Sequence, residues 1–259
     1  MGERTKYTPG TFSWTDLSTT DPDAAKSFYS SLFGWDAEDI PVGEGTVYSM
    51  MKIDGKDVAA ISVQPQQQRD AGVPPAWNSH VTVESADDAA ARAQDLGGAV
   101  HAGPFDVFDV GRMGVVQDPQ GGFVMVWEPK ANIGAGLVNG PGLLSWNELA
   151  TSDIDAAASF YRQLFGWTTE PIEGAEPPYL VVKNSEGWNN GGIRSSQGPE
   201  PTYWLVYFGT DDVDRDVAKI SELGGRHLVE PTDIGAGRIG IAQDPQGAVF
   251  GLFAGQFED

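Results

Sequence analysis

The chain has no cysteine among its 259 residues, so disulfides, thiolate metal ligands and thiol nucleophiles are excluded by inventory. Basic side chains are scarce: 16 Lys plus Arg stand against 37 Asp plus Glu, a formal net charge of −21. A field of that sign repels nucleic-acid phosphates and anionic lipid surfaces, which argues against both as partners, and it concentrates cationic small molecules. No stretch approaches the roughly 20 apolar residues of a membrane span, and "MGERTKYTPG" lacks the apolar core of a secretory leader. Lys6 stands where a myristoylation signal requires Ser or Thr. The expectation is a cytoplasmic protein, a monomer or homodimer, that meets a small molecule. Histidine is sparse too, with His80, His101 and His227 the whole supply of imidazole.

What the chain has instead is a repeat. "SWTDLSTTDPDAAKSFYSSLFGW" (13–35) returns as "SWNELATSDIDAAASFYRQLFGW" (145–167), and "GRMGVVQDPQGGFVMVW" (111–127) returns as "GRIGIAQDPQGAVFGLF" (237–253). The pattern predicts two tandem copies of one fold, 1–130 and 143–259, with the Gly-, Pro- and Asn-bearing stretch 131–142 as linker. Within a copy, "FSWTDL" alternates as a strand. "DPDAAKSFYSSLFGW" reads as a helix with Asp21 as N-cap, Pro22 in the first turn and Gly34 as stop, its apolar stripe carried by Ala25, Phe28, Leu32 and Phe33. "TVYSMMKI" and "VAAISVQ" follow as strands. A second cycle then opens with the strand "WNSHVTVE", the helix "SADDAAARAQDLGG" and three more strands, the last two joined by "DPQGG".

In their joint order, "DPDAAKSFYSSLFGW", "ADDAAARAQDLGG" and "DPQGGFVMVWE" resemble the vicinal oxygen chelate superfamily of glyoxalase I, bleomycin-resistance proteins and extradiol dioxygenases. The two-copy layout is similar to an actinobacterial group that includes a mycobacterial antigen and proteins labelled hydroxylase. The resemblance implies an α+β protein of four βαβββ units forming two tandem glyoxalase-like domains, whose mixed sheets curl into half-open barrels around a ligand or a divalent metal.

Metal-using members of the family place a His, Gln or Glu on the first strand of each unit and a Glu on the last, a set suited to Mn, Fe, Ni, Co or Zn. This chain departs from that pattern. Trp14 stands at the first position, Met125 at the carboxylate position, and only His80 is a competent donor; in the second copy the residues are Trp146, Tyr207 and Gly251. Indole offers an N–H donor only, and a thioether is too soft for these ions. The expectation is therefore no metal cofactor, with a rebuilt site from Asp16, His80 and Glu84 or a glyoxalase-type metal lyase or isomerase as the alternative.

The expected lining of the first concave face is Trp14, Asp16, His80, Thr82, Met125 and Trp127, and of the second Trp146, Glu148, Tyr207 and Phe253 beside a gap at Gly251. Asp16, His80, Glu148 and Tyr207 are the candidates for proton chemistry, and the rest are candidates for contact with a planar or cationic ligand. A third reading is a non-catalytic interaction module with closed cavities. Arg112 and Arg238, repeated in "GR(M/I)G", are expected to tie down acidic loops, and His101 and His227 to lie at the surface.

Overall fold

The structure, a computed structural model, describes residues 2–43 and 45–257. The first half runs β1 (Gly2–Glu3), β2 (Phe12–Thr19), α1 (Pro22–Phe33), β3 (Asp36–Gly43), β4 (Thr46–Ile53), β5 (Lys56–Val63), α2 (Gln66–Asp70), β6 (Ala76–Thr82), α3 (Ala86–Asp95), β7 (Ala99–Val107), β8 (Gly111–Gln117) and β9 (Phe123–Pro129). After β10 (Leu137–Val138) come β11 (Leu144–Thr151), α4 (Ile154–Phe165), β12 (Thr168–Pro171), β13 (Tyr179–Lys183), β14 (Asn189–Ser195), β15 (Tyr203–Gly209), α5 (Val213–Glu222), β16 (Arg226–Asp233), β17 (Gly237–Gln243) and β18 (Val249–Gly255).

Local chemistry sets the repeated helix in both copies. The Asp21 carboxylate accepts from Ala24 N–H and the Asp153 carboxylate from Ala156 N–H, and each helix ends on a left-handed glycine, Gly34 or Gly166. Strand β3 and helix α2 are additions to the sequence reading. The acidic β3 is an exposed edge strand with Pro41 in it, so it shows no alternating apolar pattern. The five-residue α2 buries nothing, so it has no periodicity to detect.

Each half builds its own eight-stranded sheet, in the order β3-β4-β5-β2-β6-β9-β8-β7 and β12-β13-β14-β11-β15-β18-β17-β16. Both sheets are mixed: β2 runs parallel to β5 and antiparallel to β6, and β6 runs parallel to β9. The paired βαβββ units therefore close within a half. The cores do not. Leu17, Phe28, Tyr29, Met51 and Ile61 of the first half pack with Phe208, Val217, Ile220, Phe250 and Leu252 of the second, while Val81, Ala89 and Val126 pack with Phe160, Tyr161, Trp167 and Ile193. Helices α1, α3, α4 and α5 lie between the two sheets, and the opposite face of each sheet turns outward.

The most repetitive sequence motifs make this joint. The Tyr29 hydroxyl accepts from Trp77 Nε1 at 2.9 Å and donates to Asp244 Oδ2 at 3.1 Å, across the halves; Tyr161 repeats the arrangement with Trp204 at 3.0 Å and Asp118 at 2.8 Å. Trp35 Nε1 donates to the Gly142 carbonyl and Trp167 Nε1 to the Gly10 carbonyl. Each such buried bond contributes about 0.5–1.5 kcal/mol net. The segment expected as a linker is pinned along its length. Its β10 pairs with β1, Ala135 N–H donates to Ser13 O, Gly136 N–H to Asp57 O, and Trp127 Nε1 to Asn132 O. Ala135 and Val138 pack with Tyr7 against Trp14 and Met50.

Candidate functional site

Strand register decides which side chains share the outward face. Trp14 stands opposite His80, His80 opposite Met125 and Met125 opposite Val115; on neighbouring rows Asp16 stands opposite Asn78 and Ala60, and Thr82 opposite Trp127. Side chains in register on adjacent strands point to the same side, so all six residues expected in the first copy lie on one face. In the second copy Trp146 stands opposite Tyr207 and Tyr207 opposite Gly251, with Glu148 and Phe253 on the same face. The two groups belong to separate sheets.

At the centre of the first face is a bonded chain. Trp14 Nε1 donates to the Tyr48 hydroxyl at 3.0 Å, Tyr48 donates to Asp16 Oδ2 at 3.1 Å, and Asn78 Nδ2 donates to Asp16 Oδ1 at 2.8 Å. His80 Nε2 lies 3.4 Å from Asp16 Oδ2, close enough for Coulomb attraction but outside hydrogen-bonding geometry, and neither ring nitrogen has a hydrogen-bond partner. The ring is 3% exposed. Burial works against charge on Asp16, but the His80 ring, the Asn78 amide and the Tyr48 hydroxyl outweigh it and hold the carboxyl below its ordinary value. Burial, reinforced by Asp16, pushes the Tyr48 phenol up, so it remains a neutral donor. Trp14 is 5% exposed and Trp127 8%; the Trp127 ring covers Gly111, where a Cβ would overlap it. Thr82 donates its hydroxyl to Ser13 at 2.7 Å. Half-buried members of the face include Asp16, Tyr48, Ser62, Asn78, Met113, Val115 and Met125.

The second face is closed by its own side chains. The Tyr207 ring lies across Gly251 and Tyr179 across Gly192, and a Cβ at either glycine would overlap the ring. The expected gap at Gly251 is thus filled by tyrosine. Trp146 Nε1 donates to Tyr179 at 2.9 Å, and Glu148 Oε1 accepts from Tyr207 at 3.2 Å and from Arg194 Nε at 3.0 Å. Burial dominates at Glu148 and pushes its carboxyl up despite Arg194 and the tyrosines. Tyr48, Asn78, Tyr179 and Arg194 did not emerge from the sequence reading. The signal for the two tyrosines is the parallel between "YSMMK" (48–52) and "YLVVK" (179–183).

The donor set does not fit the metal of the family's metal-using members. Of the positions where the resemblance places metal ligands only His80 offers an imidazole, and among the described residues no three His, Asp or Glu side chains converge to hold an ion. Glu84 is exposed and does not join Asp16 and His80 as a third donor. Arg112 pairs with Asp87 at 2.7 Å and Arg238 with Asp214 at 2.7 Å, each at the start of a helix. His101 and His227 are exposed. No helix among the described residues is long and apolar enough to cross a membrane.

The model of the Glyoxalase/Bleomycin resistance protein/Dioxygenase superfamily matches residues 11–126 and 143–252. The chain belongs to that superfamily. It is 42% identical over 255 residues to "Putative glyoxylase CFP32" of Mycobacterium bovis, covering 97% of each chain. It is also 32% identical over 263 residues to "Anthracycline biosynthesis protein DauV" of Streptomyces, covering 96% of this chain and 94% of that one. Among solved structures, the Mn(II)-bound glyoxalase from Novosphingobium aromaticivorans has the same fold, with a TM-score of 0.65, 16% identity, and coverage of 97% of this chain and 85% of that one. A catechol 2,3-dioxygenase matches with a TM-score of 0.63, 13% identity, and coverage of 97% and 90%.

Proposed function

We propose that this chain is a metal-independent member of the superfamily that binds a small, planar organic molecule on the outward face of its first half. One observation carries the reading: a buried imidazole, His80, with both nitrogens unpartnered, set against the Asp16 carboxylate on a face whose rim of Tyr48, Asn78, Val115 and Met125 is half-open. A buried polar group without a partner costs about 1–3 kcal/mol, and such groups concentrate where a ligand supplies what the protein withholds. Met125, an adaptable side chain in register beside His80, is the group that yields to admit the ligand. Asp16 and His80 are its polar handles. The second half, with its acid bonded and its glycines covered, serves as scaffold. The relative named for anthracycline biosynthesis supports a planar aromatic ligand, since anthracyclines are fused-ring hydroxyquinones.

The test combines elemental mass spectrometry of untagged protein, offered Mn, Fe, Co, Ni and Zn in turn, with titration of 1,4-dihydroxyanthraquinone followed by its visible absorbance. The expected result is no stoichiometric metal, together with binding that His80→Ala weakens at least tenfold while stability changes by about 1–2 kcal/mol. Near-stoichiometric metal that is lost on His80→Ala would replace this reading with a glyoxalase-type lyase or isomerase. Unfolding of His80→Ala, with binding kept in His80→Gln, would assign the ring to the core.

A further inference from the structure

In the second half a cation is built into the face. Arg194 donates from Nε to Glu148 Oε1 at 3.0 Å, from Nη1 and Nη2 to the Glu200 carboxylate at 2.7 and 3.0 Å, and from Nη2 to the Tyr203 hydroxyl at 3.3 Å. Around it stand Trp146 and Tyr179, joined by the indole-to-phenol bond. The first half has the same frame, with Trp14 bonded to Tyr48 and Tyr48 to Asp16. It lacks the cation.

Register identifies what stands in its place. Arg194 is opposite Tyr179 and Ala150; the residue opposite Tyr48 and Ser18 is Ser62. Tyr203, the other neighbour of Ala150, is matched by Ala76, the other neighbour of Ser18. Two large side chains of the second half are thus a serine and an alanine in the first, half-buried and exposed respectively. Beside Asp16 the first half therefore carries two small side chains where the second half sets a guanidinium and a phenol beside Glu148. Asp16 accepts from the neutral donors Tyr48 and Asn78 and lies 3.4 Å from the His80 ring; none of the three is a fixed cation as the Arg194 guanidinium is. The unpartnered, deeply buried His80 beside it is an independent mark of an incomplete site.

We propose that the first half takes from solution the cation that the second half carries as Arg194: an organic cation of the guanidinium or ammonium class, seated on Asp16 between Ser62 and Ala76, with its apolar part directed toward Met125. The proposal rests on the ligand-binding reading of the same face and narrows it to a charge class. A planar guanidinium matches a carboxylate with paired donors, the Tyr48 ring adds a face for cation–π contact, and the net charge of −21 raises the local concentration of cations.

Phenylguanidinium and its neutral isostere phenylurea separate charge from shape. Binding is read by titration calorimetry and by the imidazole 15N–1H signal of His80, assigned by its loss in His80→Gln. The expected result is one phenylguanidinium per chain, bound at least tenfold more tightly than phenylurea. Asp16→Asn should erase that preference, and Ser62→Arg, which installs the second half's internal cation, should abolish binding while the thermal melt stays cooperative. Equal binding of the two probes, or full binding in Ser62→Arg, would overturn the cation class while leaving the ligand face standing. Failure of both probes to shift the His80 signal, together with failure of the hydroxyquinone titration, would remove the ligand face itself.

Discussion

Replacing Tyr29 by Phe keeps the ring, so its packing in a site with 0% exposure is preserved and no large cavity opens. Only the hydroxyl is lost. That oxygen accepts from Trp77 Nε1 at 2.9 Å and donates to Asp244 Oδ2 at 3.1 Å, so the substitution strands an indole N–H and one carboxylate oxygen in the joint between the halves. An unsatisfied buried group costs about 1–3 kcal/mol. Asp244 retains backbone N–H donors from Gln246, Gly247 and Ala248 on its other oxygen, which puts its share at the low end. The sum is about 2–4 kcal/mol. At about 2–4 °C per kcal/mol for a chain of this size, the melting temperature should fall by about 5–15 °C. Urea unfolding followed by Trp fluorescence and by far-UV circular dichroism gives the free energy, and a cycle with Asp244→Asn gives the coupling. Because the bond crosses the halves, both probes should lose stability together in one transition. A loss below about 0.5 kcal/mol, zero coupling, or destabilisation confined to one of two separate transitions would refute the shared-core account. Tyr161→Phe, facing Trp204 and Asp118, should behave alike.

Gly251→Ala places a Cβ into the Tyr207 ring and should cost about 1–3 kcal/mol through overpacking; chemical denaturation of Gly251→Ala alone and combined with Tyr207→Ala should show the second change relieving part of the first, and purely additive losses would contradict the overlap. For Asp16 the sign follows from its folded-state pKa lying below the unfolded value. The stabilisation is present above the ordinary carboxylate range and disappears as pH falls through the depressed folded value. The gap in melting temperature between the parent and Asp16→Asn should therefore be open at neutral pH and close below about pH 4, whereas a gap that widened on acidification would show the carboxyl shifted the other way.

The sequence by itself determined the duplication, the helix caps and the family. Asp21 and Gly34 act through bonds within a few residues, and "SFYSSLFGW" and "DPQGG" repeat whatever lies around them, so local pattern was enough. That Trp14, Met125 and Gly251 stand where the resemblance places metal ligands was equally legible, because it rests on residue identity alone. Tertiary structure decided the rest. Tyr29 finds Asp244, and Tyr161 finds Asp118, only because helices of one half pack under the sheet of the other, a pairing of residues far apart in sequence that no periodicity encodes. The linker stretch became part of the structure for the same reason, its backbone groups finding partners on strands of the first half. Local pattern likewise carries no trace of why two faces with the same Trp–Tyr–acid frame differ. The cause is the strand register that sets Arg194 and Tyr203 beside Glu148 but Ser62 and Ala76 beside Asp16, so that one carboxylate is paired with a built-in guanidinium and the other has no arginine beside it.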